Sequence, residues 1–322
     1  MIKRIVGRVV FFVLVVAIIS LAYFNRGVIY DFYRAKTYRP SEEMVSIRDS
    51  LDLTDKGKFL FDASRPEFNE KDDFNTNCQK DNEEIAVLGC YTLQDIYIFN
   101  VQDDELKGIK ELTTAHELLH AVYERMGDDK KESLKAVLMK VYEENTDTLD
   151  DELKTYPEAE KLEEIFVRAG TEINKLPEEL EKYYGEIFRD RKKIVGFYES
   201  YISVFKEVEK ELDDLALEMN NLSNSIKEKT EEYEKRIGQL NADILSFNSC
   251  AETEGCFNST AIFNERRGGL ISEQNALEGF YDEINGLIEE YNEKVEKYNE
   301  DVRWQDKLNE MINSSSKPKE VE

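Results

Sequence analysis

Apolar residues are arranged in several different ways along this chain, and each arrangement predicts a different kind of element. Residues 9–24 (VVFFVLVVAIISLAYF) form one uncharged block. It is short for a spanning helix but reaches bilayer length with its flanks, so it predicts a transmembrane anchor over residues 1–24. A cleaved signal peptide also has a short apolar region. Here, however, Ile19-Ser20-Leu21-Ala22-Tyr23 puts bulky residues where cleavage needs small ones, which favours an uncleaved anchor.

Residues 25–58 are polar with mixed charge and predict a juxtamembrane linker, with one short helix over 41–50. Phe59-Leu60-Phe61 reads as a strand ended by Ser64-Arg65-Pro66, and residues 67–84, which have no period, read as a loop. The β-rich runs 85–91 and 96–101 flank Thr92-Leu93-Gln94-Asp95, which has the length and composition of a hairpin turn. Helical spacing then begins with Leu106, Ile109, Leu112, His116, Leu119, Tyr123 and Met126, and Gly127 stops it. Further helices are predicted over 131–144 and from Pro157 to 169. A long one runs from Pro177 to about residue 248.

The last third changes period again. Phe205, Leu212, Met219, Ile226, Tyr233, Leu240 and Phe247 recur every seven residues, as do Leu270, Leu277, Ile284, Tyr291 and Tyr298. Sustained heptads with charged flanks predict a coiled coil, and two similar arms split by residues 248–269 predict an antiparallel hairpin. The fold class expected is therefore α+β, mostly α. A small domain with a short antiparallel sheet (59–200) would carry a coiled-coil hairpin (201–312) and a disordered tail (313–322).

Charge sets the compartment. The chain carries −26 at pH 7, yet residues 1–40 hold seven Lys/Arg against one acid, Asp31. An acidic body argues against a nucleic-acid partner. Lys3, Arg4 and Arg8 before the apolar block favour a cytoplasmic N-terminus with the body extracytoplasmic at the cell membrane. Cys78, Cys90, Cys250 and Cys256 show no CxxC spacing. The favoured pairing is Cys78–Cys90 with Cys250–Cys256, since each closes a short local loop, with free buried thiols as the alternative.

The chemistry is concentrated in the chain's only two histidines, which stand in His116-Glu117-Leu118-Leu119-His120. Spaced four apart, they project from one helix face and can share a metal ion, and Glu117 is placed as general base. The ion expected is one Zn2+ per chain, with three protein ligands and an open position for water. No histidine remains for the third ligand, so a carboxylate is needed, or less favourably a tyrosine.

On these residues the chain resembles the gluzincin class of zinc metallopeptidases, in which a glutamate on a later helix completes the site. The likeness covers roughly residues 85–172. In thermolysin-like enzymes and their relatives a small residue stands three positions after the ligand glutamate. Glu164, with Val167 three residues on, fits that shape better than Glu163, which has Phe166 there; Glu158 and Glu172 follow behind. Helical phase points the other way, because Glu163 lies nearer the apolar stripe of Ala159, Leu162, Ile165, Phe166 and Ala169. Gluzincins also often place an acid four residues after the ligand, where this chain has Arg168.

The resemblance implies a zincin-like domain that hydrolyses peptide bonds in a peptide or protein substrate. It also implies that residues 96–101 form the edge strand pairing with that substrate. Tyr156, Tyr183 and Tyr184 are candidate transition-state donors, and nothing in the sequence selects among them. The contrasting expectation is a non-catalytic, membrane-tethered structural or adaptor protein with a degenerate zincin domain. Its output would be a protein partner bound through the coiled coil.

Overall fold

The computed structural model describes residues 2–78, 88–102, 106–153 and 156–314; the side chains of 1–10, 150–152 and 158–159 lie outside that description. The chain divides into two units, Met1–Val204 with Asn309–Glu322, and Phe205–Leu308. Its class is mostly helical, with one small three-stranded sheet.

The first unit opens with helices α1 (Ile2–Phe24), α2 (Arg26–Thr37), α3 (Glu42–Ser50) and α4 (Asp55–Ser64). Among the described residues no single helix is long and apolar enough to cross a membrane. Phe11–Phe24 and Arg26–Thr37 pass that test only together, across a 69° bend. The Ser41 hydroxyl caps α3 by accepting from Met44 N at 3.1 Å, and Thr54 caps α4 through Gly57 N at 3.0 Å.

The expected linker over 25–58 is a correction. Met44, Ile47, Leu51 and Leu53 are buried in the main core, so this segment is part of the domain. Phe59-Leu60-Phe61 is corrected as well, because it lies within α4 and not in a strand. A three-residue apolar run cannot separate a strand from a buried helix, and the Thr54 cap decides for helix. Residues 67–77, read as loop, form β1 (Glu67–Asn69) and α5 (Lys71–Asn77).

Strands β2 (Gly89–Thr92) and β3 (Asp95–Phe99) make the expected hairpin; residues 85–87 of the first predicted strand lie outside the described residues. Leu93 and Gln94 both take positive φ, as a two-residue hairpin turn requires. The sheet order is β1-β3-β2. β1 runs parallel to β3 and β2 antiparallel, so the sheet is mixed, not wholly antiparallel. The disulfide Cys78–Cys90 ties the end of α5 to β2.

Helices α6 (Ile109–Glu124), α7 (Asp128–Glu144), α8 (Thr146–Leu153), α9 (Glu158–Glu172) and α10 (Glu178–Tyr184) complete the unit with the start of α11 (Arg191–Ala251). Leu118, Leu119 and Val122 of α6 pack in one core with Ile165, Phe166 and Val167 of α9, Leu134 and Leu138 of α7, and Ile96 and Ile98 of β3. The helix expected to run unbroken from Pro177 is interrupted at 185–190. There Ile187 and Phe188 turn inward and are fully buried, and Phe188 bridges to Leu53.

The second unit is a helical pair, α11 with α12 (Thr260–Met311). Lys294 meets Glu218 at 2.6 Å, Lys229 meets Glu283 at 2.8 Å and Arg236 meets Glu273 at 2.9 Å. Partner numbers fall on one helix as they rise on the other, so the two run antiparallel. The disulfide Cys250–Cys256 closes the connection beside the rings of Phe247, Phe257 and Phe263. That connection is shorter than the predicted 248–269, because Gly268 and Gly269 are helical. The predicted tail begins packed: Asn75 donates to Ser314 O at 2.7 Å, and residues 315–322 lie outside the described residues.

Candidate metal centre

Helix α6 presents two kinds of surface. Its core side carries Leu118, Leu119 and Val122, while His116 and His120 lie one turn apart on a face that stays partly open. Their ring centroids are 5.1 Å apart. Glu117 is buried between this face and strand β2. The strand comes so close that a Cβ on Gly89 would stand 2.7 Å from Glu117 Cγ and 2.8 Å from its Oε1. Any side chain at 89 would therefore force Glu117, or Thr113 whose Cγ2 would also be 2.7 Å away, to shift.

Helix α9 brings the third donor. It packs tightly on α6 at Gly170, where an added Cβ would lie 2.5 Å from Leu119 Cδ1 and 2.8 Å from Tyr184 Cε1. With that register set, Glu164 points at both histidines. Oε1 is 3.6 Å from His116 Nε2, and Oε2 is 3.4 Å from His120 Nε2. These spacings are too long for good N–H···O hydrogen bonds. One donor atom from each of the three residues lies within 4.8 Å of the others, close enough to share an ion after small side-chain adjustments, since ligands on a tetrahedral centre stand about 3.3–3.6 Å apart. Glu164 is only 2% exposed, and its Oε2 has no hydrogen-bond partner. A buried carboxylate oxygen without a hydrogen bond is costly unless a positive charge meets it, and in the metal-free site that charge comes from the two histidines at 3.4 and 3.6 Å, the place a cation would take. The His116, His120 and Glu164 group could hold a metal ion.

Glu163 does a different job. Its Oε1 lies 2.8 Å from His120 Nδ1, which fixes the ring and turns Nε2 toward Glu164. Helical phase does not separate Glu163 from Glu164 here, because α9 is packed by α6, α7 and α8. Glu164, Ile165, Phe166, Val167, Arg168 and Ala169 are all buried, so no single stripe identifies the inward face. The Glu158 side chain lies outside the described residues. Glu172 binds Arg168 at 2.8 and 2.9 Å, and Arg168 also donates to Thr148 O at 3.1 Å. The position where an acid was expected thus joins α9 to α8, and Glu163 supplies the carboxylate to a histidine instead.

Electrostatics follow from burial and pairing. Burial alone would lower the His120 pKa, but Glu163, Glu164 and Glu117 overcome it and raise it to about 10. Burial would raise Glu164, but His116, His120 and Arg168 outweigh it and hold the carboxyl at about 2.

No protein-family model, curated protein or solved structure matches this chain. The site must therefore be read from its own chemistry.

A cleft of about 370 Å3 opens over the three donors. Gly89, Cys90 and Tyr91 of β2 line it, as do Tyr156, Tyr198 and Tyr201. Residues 96–101 are not the edge strand expected, because β3 is paired on both sides and β2 is the outer strand at the cleft. Of the three tyrosines considered from sequence, Tyr156 lines the cleft. Tyr184 is fully buried, donating to Phe166 O at 2.6 Å, and Tyr183 meets the Phe166 ring edge to face. Tyr198 and Tyr201 were missed; three apart on α11, they carry no signal that separates them from packing residues.

Proposed function

We infer that the chain is a zinc-dependent peptidase of gluzincin type, anchored in a membrane with its body extracytoplasmic. The observation that carries this reading is the grouping of His116, His120 and Glu164, with one ligand atom of each within 4.8 Å of the others and Glu117 buried beside them. A donor set of two imidazoles and one carboxylate suits Zn2+ and leaves a fourth position free. When bound, zinc supplies a Lewis acid that polarises a carbonyl and acidifies water.

The protein's own residues supply the rest. Glu117 accepts the proton of the attacking water and delivers it to the departing amine, a role favoured by its burial under β2. The outer edge of β2 gives an extended peptide backbone a strand to pair with, directly above Glu117. Tyr156, Tyr198 and Tyr201 line the cleft and are the candidates for a donor to a developing oxyanion.

The exposed apolar side chains of Phe11–Phe24 support the anchor, and two disulfides support an oxidising compartment. The heptad positions and cross-arm ion pairs of α11 and α12 support an antiparallel coiled-coil hairpin with a surface for a protein partner. The non-catalytic adaptor reading drew on Arg168 standing where an acid was expected, and the Glu163–His120 contact removes most of that support.

The test is metal content together with hydrolysis. Purified protein should hold one zinc, lost in His116→Ala. Glu117→Gln should retain the zinc and lose cleavage of a quenched-fluorescent peptide library. Full cleavage by Glu117→Gln would refute the mechanism.

A further inference from the structure

Helix α2 has two opposed faces. Val28, Ile29, Phe32 and Tyr33 fall at i, i+1, i+4 and i+5, on one side of the helix, and are 65%, 53%, 61% and 62% exposed. The other side is locked to the domain. Arg34 is buried, with Nε donating to Ala63 O at 2.6 Å, Nη2 donating to Gln94 O at 2.9 Å, and an ion pair to Asp95. Asp31 accepts both Nε and Nη2 of Arg125 at 3.0 Å.

We propose that α2 is an interfacial helix that seats the first unit on the surface of a phospholipid bilayer. The proposal rests on reading α1 as the membrane anchor. One residue, Asn25, separates the two helices, so the exposed apolar side chains of α2 follow directly in sequence on the exposed apolar run of α1. The 69° bend gives the geometry. If α1 runs along the bilayer normal, α2 lies about 20° from the membrane plane, the attitude of a helix buried by its apolar face at the headgroup boundary.

The same two helices cannot form one broken span. Carrying α2 into the hydrocarbon would drag with it Asp31, Arg34 and the folded elements they grip. Aromatic rings and basic groups fit the interface instead. Tyr30 and Tyr33 belong at headgroup depth, and Arg26, stacked 4.9 Å over the Tyr23 ring, stands at the bend. Lys36 and Arg39 extend the basic edge, against a chain of net charge −26, which selects anionic headgroups as the surface this helix meets.

The consequence reaches the metal centre. Arg125 stands at the C-terminal end of α6, the helix that carries His116 and His120, so the two hydrogen bonds it donates to Asp31 fix that helix relative to α2. A domain on a loose tether would present its cleft at any height. One seated through α2 presents it at a single height and tilt above the lipid.

Depth-dependent quenching tests this on the full chain. In a Trp304→Phe background, single tryptophans are placed by Ile18→Trp or Phe32→Trp, with Tyr33→Trp as a second reporter for α2. The protein is reconstituted into vesicles of phosphatidylcholine and phosphatidylglycerol carrying lipids brominated at shallow or deep acyl positions. The expected result is deep quenching at 18 and shallow quenching, with a blue-shifted emission, at 32 and 33. Quenching at 18 with none at 32 or 33 would overturn the interfacial helix and leave the anchor standing. Equally deep quenching at all three would overturn it in favour of a broken span. No quenching anywhere would overturn the anchor and this proposal together.

Discussion

Glu163 Oε1 lies 2.8 Å from His120 Nδ1, while its neighbour Glu164 faces the other ring nitrogen at 3.4 Å. Two consecutive glutamates on one helix thus hold a single imidazole from both sides. One contacts its Nδ1, and the other belongs with it to the group that could hold a metal ion.

The division of labour predicts graded losses of zinc. Glu163→Ala should weaken zinc binding by roughly 10–100-fold, the usual cost of removing a group that orients a ligand histidine. Glu164→Ala removes a donor and should weaken it more. Competition against a chromophoric chelator measures both. Equal losses, or a larger loss for Glu163→Ala, would reverse the assignment.

Gly89 is predicted to control the base rather than the metal. An alanine Cβ there would press on Glu117 Cγ and Oε1 at 2.7 and 2.8 Å and on Thr113 Cγ2 at 2.7 Å, so the Glu117 carboxylate and Thr113 must swing aside or β2 must lift. Gly89→Ala should keep its zinc and its thermal midpoint within a few degrees, yet lose peptide turnover by about tenfold or more, since small displacements of a catalytic group are costly. Unchanged turnover would show that β2 does not constrain Glu117.

How much of this was legible in the sequence depends on how local the signal is. The metal helix, its two histidines, the β2–β3 turn and both cysteine pairs each rest on contacts between near neighbours, and their spacing is sufficient to read them. Glu164 over Glu163 follows from a family pattern and runs against helical phase, which says little here because consecutive residues of α9 from Glu164 to Thr171 are all buried. Residues 25–58 read as linker because Met44, Ile47, Leu51 and Leu53 are scattered among charges; only the tertiary fold shows that they share a core. The central place of β3 was illegible for a similar reason. Its second neighbour, β1, is three residues long and carries no periodic signal.

The disulfide at the sheet is predicted to matter to the cleft. Cys78–Cys90 closes a 12-residue separation and holds β2 against α5. Replacing both residues with serine should cost about 3 kcal/mol in urea unfolding of the domain, by loop closure. It should also weaken peptide cleavage, because β2 lines the cleft. Cys250–Cys256 lies in the second unit, and its removal should leave zinc content unchanged. Loss of zinc on removing Cys250–Cys256 would contradict this separation.

The last prediction concerns pH, and its sign follows from the two shifted groups. In metal-free protein His120 is raised from 6.5 to about 10, so its pairing stabilises the fold fully below pH 6.5 and is lost as pH rises through 10. Glu164 is lowered from 4.5 to about 2, so its contribution is present above pH 4.5 and is lost as pH falls toward 2. Together these two groups favour the metal-free fold most between pH 4.5 and 6.5. Zinc requires a neutral His120, so its binding near pH 7.5 must expel a proton that the metal-free site holds. Calorimetric zinc titrations in buffers of different ionisation enthalpy should report that release. In parallel, the urea midpoint of chelator-treated protein should fall from pH 6 to pH 10. A flat midpoint combined with no proton release would mean that His120 is already neutral in the metal-free state, and that Glu163 does not hold it charged.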